Sequence, residues 1–305
     1  MISIVMPCYN CETSLARTVQ CVQAQTVSDW ELIAVDDGST GTGAALDGLA
    51  QNDARIRAIH QANGGVSRAR NIGMAAAGGE WLAFVDADDV LPPDALQTLL
   101  ALDDGAADIL CGAYTIRHTD EGGREEVLAC ADGDRQTVLE SLVRTDSTLN
   151  SMCAKLYRAS KIREKGLCVP PGVKVGEDVL FNLDAFYAAH AWRMTELSVY
   201  GYDLGGDSAM TRADAHVYES AKPMLQGITA FIRKNGLQTA LFRAHIDIYL
   251  RTFRKDRGRR KAAFAFNRDI VSRVTEGVQF SALCARQRAY YAALKVCPCL
   301  SYFLP

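Results

Sequence analysis

The 305-residue sequence has no run approaching the roughly 20 uninterrupted apolar residues that a membrane-spanning helix requires. Its first ten residues, MISIVMPCYN, carry no basic flank and pattern as a strand, so they do not read as a secretory signal. Ten cysteines are too dilute for a disulfide scaffold, and a chain without an export signal is expected to stay reduced in the cytoplasm. Neither a G-x-G-x-x-G fingerprint nor a phosphate loop ending in Gly-Lys-Ser/Thr occurs, which moves dinucleotide oxidoreductases and P-loop NTPases out of the front rank. The five histidines (His60, His118, His190, His216 and His245) are scattered without metal-ligand spacing. Cys8 and Cys11 form a C-x-x-C and Cys297 and Cys299 a C-x-C, but neither has a second pair at zinc-ribbon spacing. No Ser-His-Asp or Cys-His set stands out for nucleophilic catalysis.

What is present is a globular composition, 49% apolar and 23% charged, with enough length for one large domain plus an appendage. The net charge of −3 hides an asymmetry. From Lys222 onward there are 16 Lys and Arg against 4 Asp and Glu, so residues 1–221 hold 17 against 32. Acidic body and basic tail suggest two jobs, cation or nucleotide handling in front and an anionic partner behind.

Short apolar runs alternate with helical patterns through the first hundred residues. Strands are expected at Ile2 to Met6, Glu31 to Val35, about Arg55 to His60, Trp81 to Val85 and Ile109 to Tyr114. Helices are expected at about Glu12 to Ala24, Val66 to Ala76 and from Pro92-Pro93 to Leu102. The alternation implies an α/β fold with right-handed crossovers and a mostly parallel sheet flanked by helices. Residues from about 115 to 135 are polar and Gly-rich and read as a loop or an excursion from the sheet. Helical patterns return at Gln136 to Arg144 and Glu177 to Ala189, a strand-like run covers Leu197 to Tyr202, and a domain boundary is expected near residue 214.

Ligands of such sheets collect at the carboxyl ends of the strands, where every polar cluster of this half lies. Phe84-Val85-Asp86-Ala87-Asp88-Asp89 puts three carboxylates directly after an apolar strand. Clustered carboxylates raise one another's pKa unless a cation compensates, and hard divalent ions take carboxylate oxygens together with substrate phosphates. A capped, solvated turn would use the same residues. A second acidic turn, Asp36-Asp37-Gly38-Ser39, ends the strand two crossovers earlier and should face the same crevice. Its carboxylates could accept from a base NH or a ribose hydroxyl. Pro7-Cys8-Tyr9-Asn10 ends the first strand and offers an aromatic face for stacking. Asn63-Gly64-Gly65 opens a helix carrying Arg68 and Arg70, and helix N-terminal amides with nearby arginines favour anions.

Together these pieces resemble family 2 glycosyltransferases of the GT-A fold. PCYN, QTVSDWELIAVDDGST and NGGVSRARNIGMAAAGGEWLAFVDADD occur in that family's order and approximate spacing. Lys155-Leu156-Tyr157-Arg158 and Gly176-Glu177-Asp178-Val179-Leu180-Phe181 look like its later KLY and ED-x-x-F signatures. Gly41 departs from the Asp often found after the Ser-Thr pair, and the chain beyond residue 214 has no general family pattern. The resemblance implies a GT-A-type, Rossmann-like domain over 1–213, with 1–114 binding a nucleotide-sugar and 115–213 serving acceptor and catalysis. A basic helical C-terminal region, 214–305, would follow.

Carried over residue by residue, the resemblance places Pro7, Tyr9, Asn10, Asp36, Asp37, Asn63, Gly64, Arg70, Asp86 and Ala87 around the nucleotide-sugar. Tyr9 would lie near the base, Asp37 at its edge and Arg70 over base or phosphates. Asp88, with Asp86, would hold Mn²⁺ or Mg²⁺ at the donor diphosphate, and Asp178 would be the catalytic base, Glu177 its fallback. The implied reaction is single-displacement, inverting transfer from a UDP-sugar to a hydroxyl of a glycan or lipid-linked glycan. Two rival readings are a non-catalytic nucleotide-sugar-binding or glycan-binding protein and a sugar nucleotidyltransferase. Intact Asp86, Asp88 and Asp178 oppose the first, and the missing basic Gly-rich loop opposes the second. The loop Asp207 to Arg212 resembles one that closes over donor phosphates.

The run RTFRKDRGRRK, Arg251 to Lys261, holds seven Lys and Arg and one Asp. Such runs usually solvate a helix face. The acidic body argues against nucleic acid, whereas anionic lipid headgroups attract polybasic segments. With the aromatic residues that follow, 251–305 becomes a candidate membrane-docking region, expected peripheral on the inner face.

Overall fold

The computed structural model describes residues 1–118, 124–128, 133–142, 148–204 and 217–235, together with positions 288 and 292. The chain order is β1 (Ile2–Cys8), α1 (Glu12–Gln23), β2 (Trp30–Asp36), α2 (Thr42–Asn52), β3 (Ile56–His60), α3 (Val66–Ala76), β4 (Trp81–Phe84) and α4 (Ala95–Leu100). There follow β5 (Ile109–His118), β6 (Arg124–Leu128), α5 (Arg135–Leu142), β7 (Lys155–Arg158), α6 (Ala159–Glu164), α7 (Glu177–Ala188), β8 (Trp192–Leu204) and α8 (Val217–Lys234).

The strands order as β3-β2-β1-β4-β7-β5-β6, with β8 pairing β5. The β3-β2-β1-β4 block is parallel throughout. β7 is antiparallel to both β4 and β5, β6 is antiparallel to β5, and β8 is parallel to β5. β6 and β7 therefore run against the other strands, and the sheet is mostly parallel, as the alternating pattern predicts.

Period-two alternation assigns the two faces. Ile2, Ile4 and Met6 of β1 pack with Trp30, Leu32 and Ala34 of β2 and with Trp81 and Ala83 of β4. Leu15, Val19 and Val22 of α1, Leu46 of α2, and Leu96 and Leu99 of α4 cover that face. Val5, Leu82 and Phe84 point the other way, to Met74 of α3 and to buried residues of α5, α7 and α8. The α3 helix lies so close to β1 that a Cβ on Gly73 would stand 2.4 Å from Val5 Cγ1. Phe84, Tyr157 and Phe181 form an edge-to-face trio, with ring centroids 5.5–5.8 Å apart, that joins β4, β7 and α7.

The structure corrects part of the expected loop at 115–135. Thr115 to His118 continue β5 and pair with β6, and Arg117 meets Glu125 at 3.0 Å. A strand that exposes charged residues lacks the apolar alternation by which strands are recognised. Beyond residue 214, Met224, Ile228 and Phe231 of α8 are buried in the same core as α7, so packing crosses the expected boundary. Arg212, Arg251 to Lys261 and the remaining tail calls lie outside the described residues.

Candidate active site at the strand tips

The parallel register brings the ends of β1, β2 and β4 to one edge. Cys8 pairs with Asp36 and Val5 with Phe84, and the chain continues as Asp37 N donates to Cys8 O at 2.8 Å and Val85 N to Val5 O at 3.1 Å. Pro7 is half-buried at this edge and Tyr9 is 55% exposed, its ring free to take a planar partner. Asn10 holds a left-handed backbone, φ +49°, while its amide donates to Ser39 Oγ at 2.9 Å and its Oδ1 accepts from Thr40 N at 3.3 Å. The first and second strand tips are thereby tied together.

The two neighbouring acids do different work. Asp36 accepts from Ser39 N at 3.0 Å, and its other oxygen lies 3.2 Å from His60 Nδ1. Burial opposes its charge, but Ser39 and His60 outweigh that effect and hold its carboxyl below the usual range. Asp36 is thus taken up by its own turn and by the end of β3. Asp37 faces the Asn63–Gly65 turn, accepting Gln61 Nε2 at 2.6 Å and Gly64 N at 2.7 Å on one oxygen and Gly65 N at 2.8 Å on the other. Gly38, at φ +74°, makes this approach feasible, since a Cβ there would stand 2.7 Å from Asn63 N. Asn63 and Gly64 are exposed at the mouth of the turn, immediately before α3.

One turn into α3, Arg70 is 6% exposed and bridges two halves of the chain. Its Nη2 donates to Asp86 Oδ1 and its Nη1 to Glu177 Oε1, each at 2.9 Å. Burial alone would favour a neutral guanidine, but Asp86, Cys153 and Glu177 more than compensate and raise its pKa. Buried Arg70 therefore joins two partly exposed carboxylates, with Nε the one nitrogen lacking a partner.

The loop after β4 carries the acidic cluster. Asp86 is about one-third exposed, Ala87 and Asp89 are buried, and Asp88 reaches solvent. The Thr18 hydroxyl of α1 lies 3.0 Å from the Ala87 carbonyl and 2.8 Å from that of Asp89. Enclosing protein and then the charge of Asp86 push the Asp88 carboxyl up. Asp89 is pushed up to about 8 by burial and by Asp86, an effect that its hydrogen bond from Tyr200 only partly offsets. Among the described residues no three His, Cys, Asp or Glu side chains converge closely enough to hold a metal unaided. Two hard carboxylates, Asp86 and Asp88, both reaching solvent, nevertheless suit a divalent ion that completes its shell with donor oxygens.

Across Arg70 from this cluster, α7 begins at Gly176, whose φ of +80° only glycine adopts without strain. Glu177 and Asp178 occupy its first turn, where the helix dipole favours negative charge. Glu177 is committed to Arg70, and Asp178 is not. Although Asp178 keeps some surface, protein encloses its carboxyl and Glu177 repels its charge, which pushes it up to about 7 against the pull of Val179 N and Arg70. Beneath it Tyr157 donates to Asn182 Oδ1 at 2.6 Å, and Asn182 holds the Asn150 carbonyl at 2.7 Å. Lys155, itself 2% exposed, secures the preceding loop through the Ser151 carbonyl at 2.6 Å.

The acids expected on separate strand tips thus share one hydrogen-bonded frame, from Asp37 through the start of α3 and Arg70 to Asp86 and Glu177, with Asp178 alongside. Sequence reading missed Tyr200, Asp203 and Arg17, which grip the Asp86–Val90 loop from β8 and α1. Nothing local marks them, because each acts through a partner distant in sequence.

The glycosyl transferase family 2 model matches residues 3–164, and the chain belongs to that family. Among relatives, glycosyltransferase EpsJ of Bacillus subtilis is 34% identical over 210 residues, 66% of this chain and 60% of EpsJ, so the match spans under two-thirds of that relative. Putative glycosyltransferase EpsH of the same organism is 26% identical over 82% of this chain and 74% of its own. In fold, the chain is similar to S. aureus TarS 1-349 solved with UDP-GlcNAc, with TM-score 0.77 and 19% identity over 99% of this chain and 89% of that one. It is similar also to mannosyltransferase PcManGT of Pyrobaculum calidifontis, solved with GDP-Man and Mn²⁺, with TM-score 0.56 and 15% identity over 99% and 84%. Among the described residues no helix is long and apolar enough to cross a membrane.

Proposed function

We propose that this chain transfers a sugar from a UDP-sugar to a hydroxyl of a glycan or lipid-linked glycan acceptor, by a single displacement that inverts the anomeric centre. The observation that carries this is the place of Asp178 in the first turn of α7, kept out of any ion pair and across Arg70 from the Asp86–Asp88 pair. A general base works best with a pKa near the operating pH, and Asp178 meets that condition while Glu177 is already occupied.

Tyr9 stacks on the base, and the Asp37 turn presents the base edge with Asn63 and Gly64 beside it. Asp88 and Asp86 would hold Mn²⁺ or Mg²⁺, which when bound neutralises charge gathering on the departing diphosphate. Arg70 holds Asp86 and Glu177 by one hydrogen bond each, so the donor side and the base keep their separation. Asp178 takes the acceptor proton as the acceptor oxygen bonds to the anomeric carbon and the bond to the diphosphate oxygen breaks. No covalent enzyme intermediate is required, which accords with the lack of a nucleophile set.

Release of UDP from a panel of UDP-sugars, with and without Mn²⁺ or Mg²⁺ and with glycan acceptors, tests this reading. Metal-dependent UDP release that Asp88→Ala suppresses supports it. Nucleotide-sugar binding with no turnover under any condition would favour a non-catalytic binding protein, and pyrophosphate release a nucleotidyltransferase.

The basic stretch 251–261, with the aromatics after it, supports docking on an anionic membrane that carries the acceptor. Flotation with phosphatidylglycerol liposomes of the full chain and of a chain ending at residue 250 checks this. Equal binding by both rules out the tail as the anchor.

A further inference from the structure

Strand β8 comes from the second half of the chain and ends over the loop after β4, and three sets of contacts tie them. The Tyr200 hydroxyl donates to Asp89 Oδ2 at 2.6 Å and accepts from Asp86 N at 3.1 Å. Val90 and Gly201 exchange both backbone hydrogen bonds, at 3.0 and 2.8 Å. Arg17 of α1 pairs with Asp203 Oδ2 at 2.8 Å and donates to the Asp88 carbonyl at 2.6 Å.

Tyr200 and Asp89 are 3% and 1% exposed. A buried phenol and carboxyl do not improve packing over apolar residues of similar volume, so stability alone gives little reason for the pair. Their geometry supplies another. The phenol oxygen is a two-way junction, bonded on one side to the buried Asp89 carboxyl and on the other to the peptide carrying Asp86. It thereby fixes the backbone from which Asp86 and Asp88 project, while touching neither carboxylate.

We propose that Tyr200, anchored by Asp89, is a positioning residue that sets the spacing of Asp86 and Asp88 for a divalent cation and the donor diphosphate. The proposal rests on the metal-dependent reading above. Tyr200→Phe fills nearly the same volume but frees the Asp86 amide and removes the phenol donor from Asp89. Partners at one remove from metal ligands typically change metal affinity by about 10–100-fold when lost.

The test is Mn²⁺ binding to the full chain in the presence of UDP, followed by electron paramagnetic resonance of free Mn²⁺, with circular dichroism to check folding. Wild type binds Mn²⁺ saturably, and Tyr200→Phe binds about 10-fold or more weakly with an unchanged dichroism spectrum. A purely structural role would lower the melting temperature of Tyr200→Phe and leave Mn²⁺ affinity as in wild type, and that result overturns the assignment. Should Tyr200→Phe not fold, Asp89→Leu carries the same expectation and the same refutation. Wild type without UDP-dependent Mn²⁺ binding would overturn the metal-dependent reading itself, and this proposal with it.

Discussion

Replacing Arg70 by methionine probes the frame at its narrowest point. Methionine retains an apolar stem of similar length, so the loss is mainly of charge. Two ion pairs at 2.9 Å disappear, and Asp86 and Glu177 are left near Asp178 with no neighbouring cation. Removing one partner of a buried pair costs about 3–5 kcal/mol. The side chain of Glu177 is 13% exposed, close to that limit, but Asp86 at 32% can recruit water, which moves the expectation to the lower end, about 3 kcal/mol. At about 2–4 °C per kcal/mol for a domain of this size, the melting temperature should fall by roughly 6–12 °C. Thermal melts followed by circular dichroism, at low and high salt, measure it. A buried network keeps most of its effect at high salt, whereas a surface pair is screened. A variant melting within about 2 °C of wild type would show that the Arg70 network contributes no more than an exposed ion pair, against the reasoning here. Arg70→Met should also move the pH midpoint of transfer upward, because Arg70 is one of the groups that lower the Asp178 pKa.

Transfer should rise with pH through about 7 as Asp178 loses its proton, a profile read from initial rates across pH 5.5–8.5. Stability should move the other way. Asp178 binds its proton more tightly folded than unfolded, so its contribution is complete below its unfolded pKa and is lost as pH rises through about 7. Asp178→Asn, which cannot ionise, should therefore gain on wild type in melting temperature between pH 5 and pH 8, and a constant difference would mean that the carboxyl is not buried as described. Gly73→Ala drives a Cβ to 2.4 Å from Val5 Cγ1 and should cost about 1–3 kcal/mol by denaturant melts, partly recovered by adding Val5→Ala. Full additivity of those two substitutions would mean that the close approach of α3 to β1 is not the cause.

In the parallel half of the sheet, β1, β2 and β4 are legible in the sequence because they are buried on both faces and end in short polar turns. β1, β2 and β4 each read as an apolar run followed by Pro7-Cys8-Tyr9, Asp36-Asp37 or Asp86-Ala87-Asp88. The α2 helix is not legible, since Gly43 and Gly48 weaken its propensity and only Thr42 and Leu46 are buried. β6, with the sequence REEVL, is held by pairing with β5 rather than by any apolar pattern of its own.

Within the site, the motif groups Asp36 and Asp37 together, yet the backbone at the strand end turns one toward Ser39 and His60 and the other toward Gly64 and Gly65. Arg70 looks from sequence like an anion contact at a helix start, and it lies buried between two carboxylates. Tyr200 is 111 residues from Asp89, a separation across which local patterns carry no information. Only the register of β8 on β5, with the bridge to Val90, brings the phenol there.

The most direct test of the central claim is paired measurement of UDP release and donor binding for Asp178→Asn. If Asp178 removes the acceptor proton, turnover should fall by about 10²–10⁴-fold. Donor affinity by calorimetry should stay near that of wild type, because the Asp37 turn and the Asp86–Asp88 loop are untouched. Near-normal turnover in that variant would contradict the account and move the proton acceptor elsewhere, with Glu177 the first residue to examine.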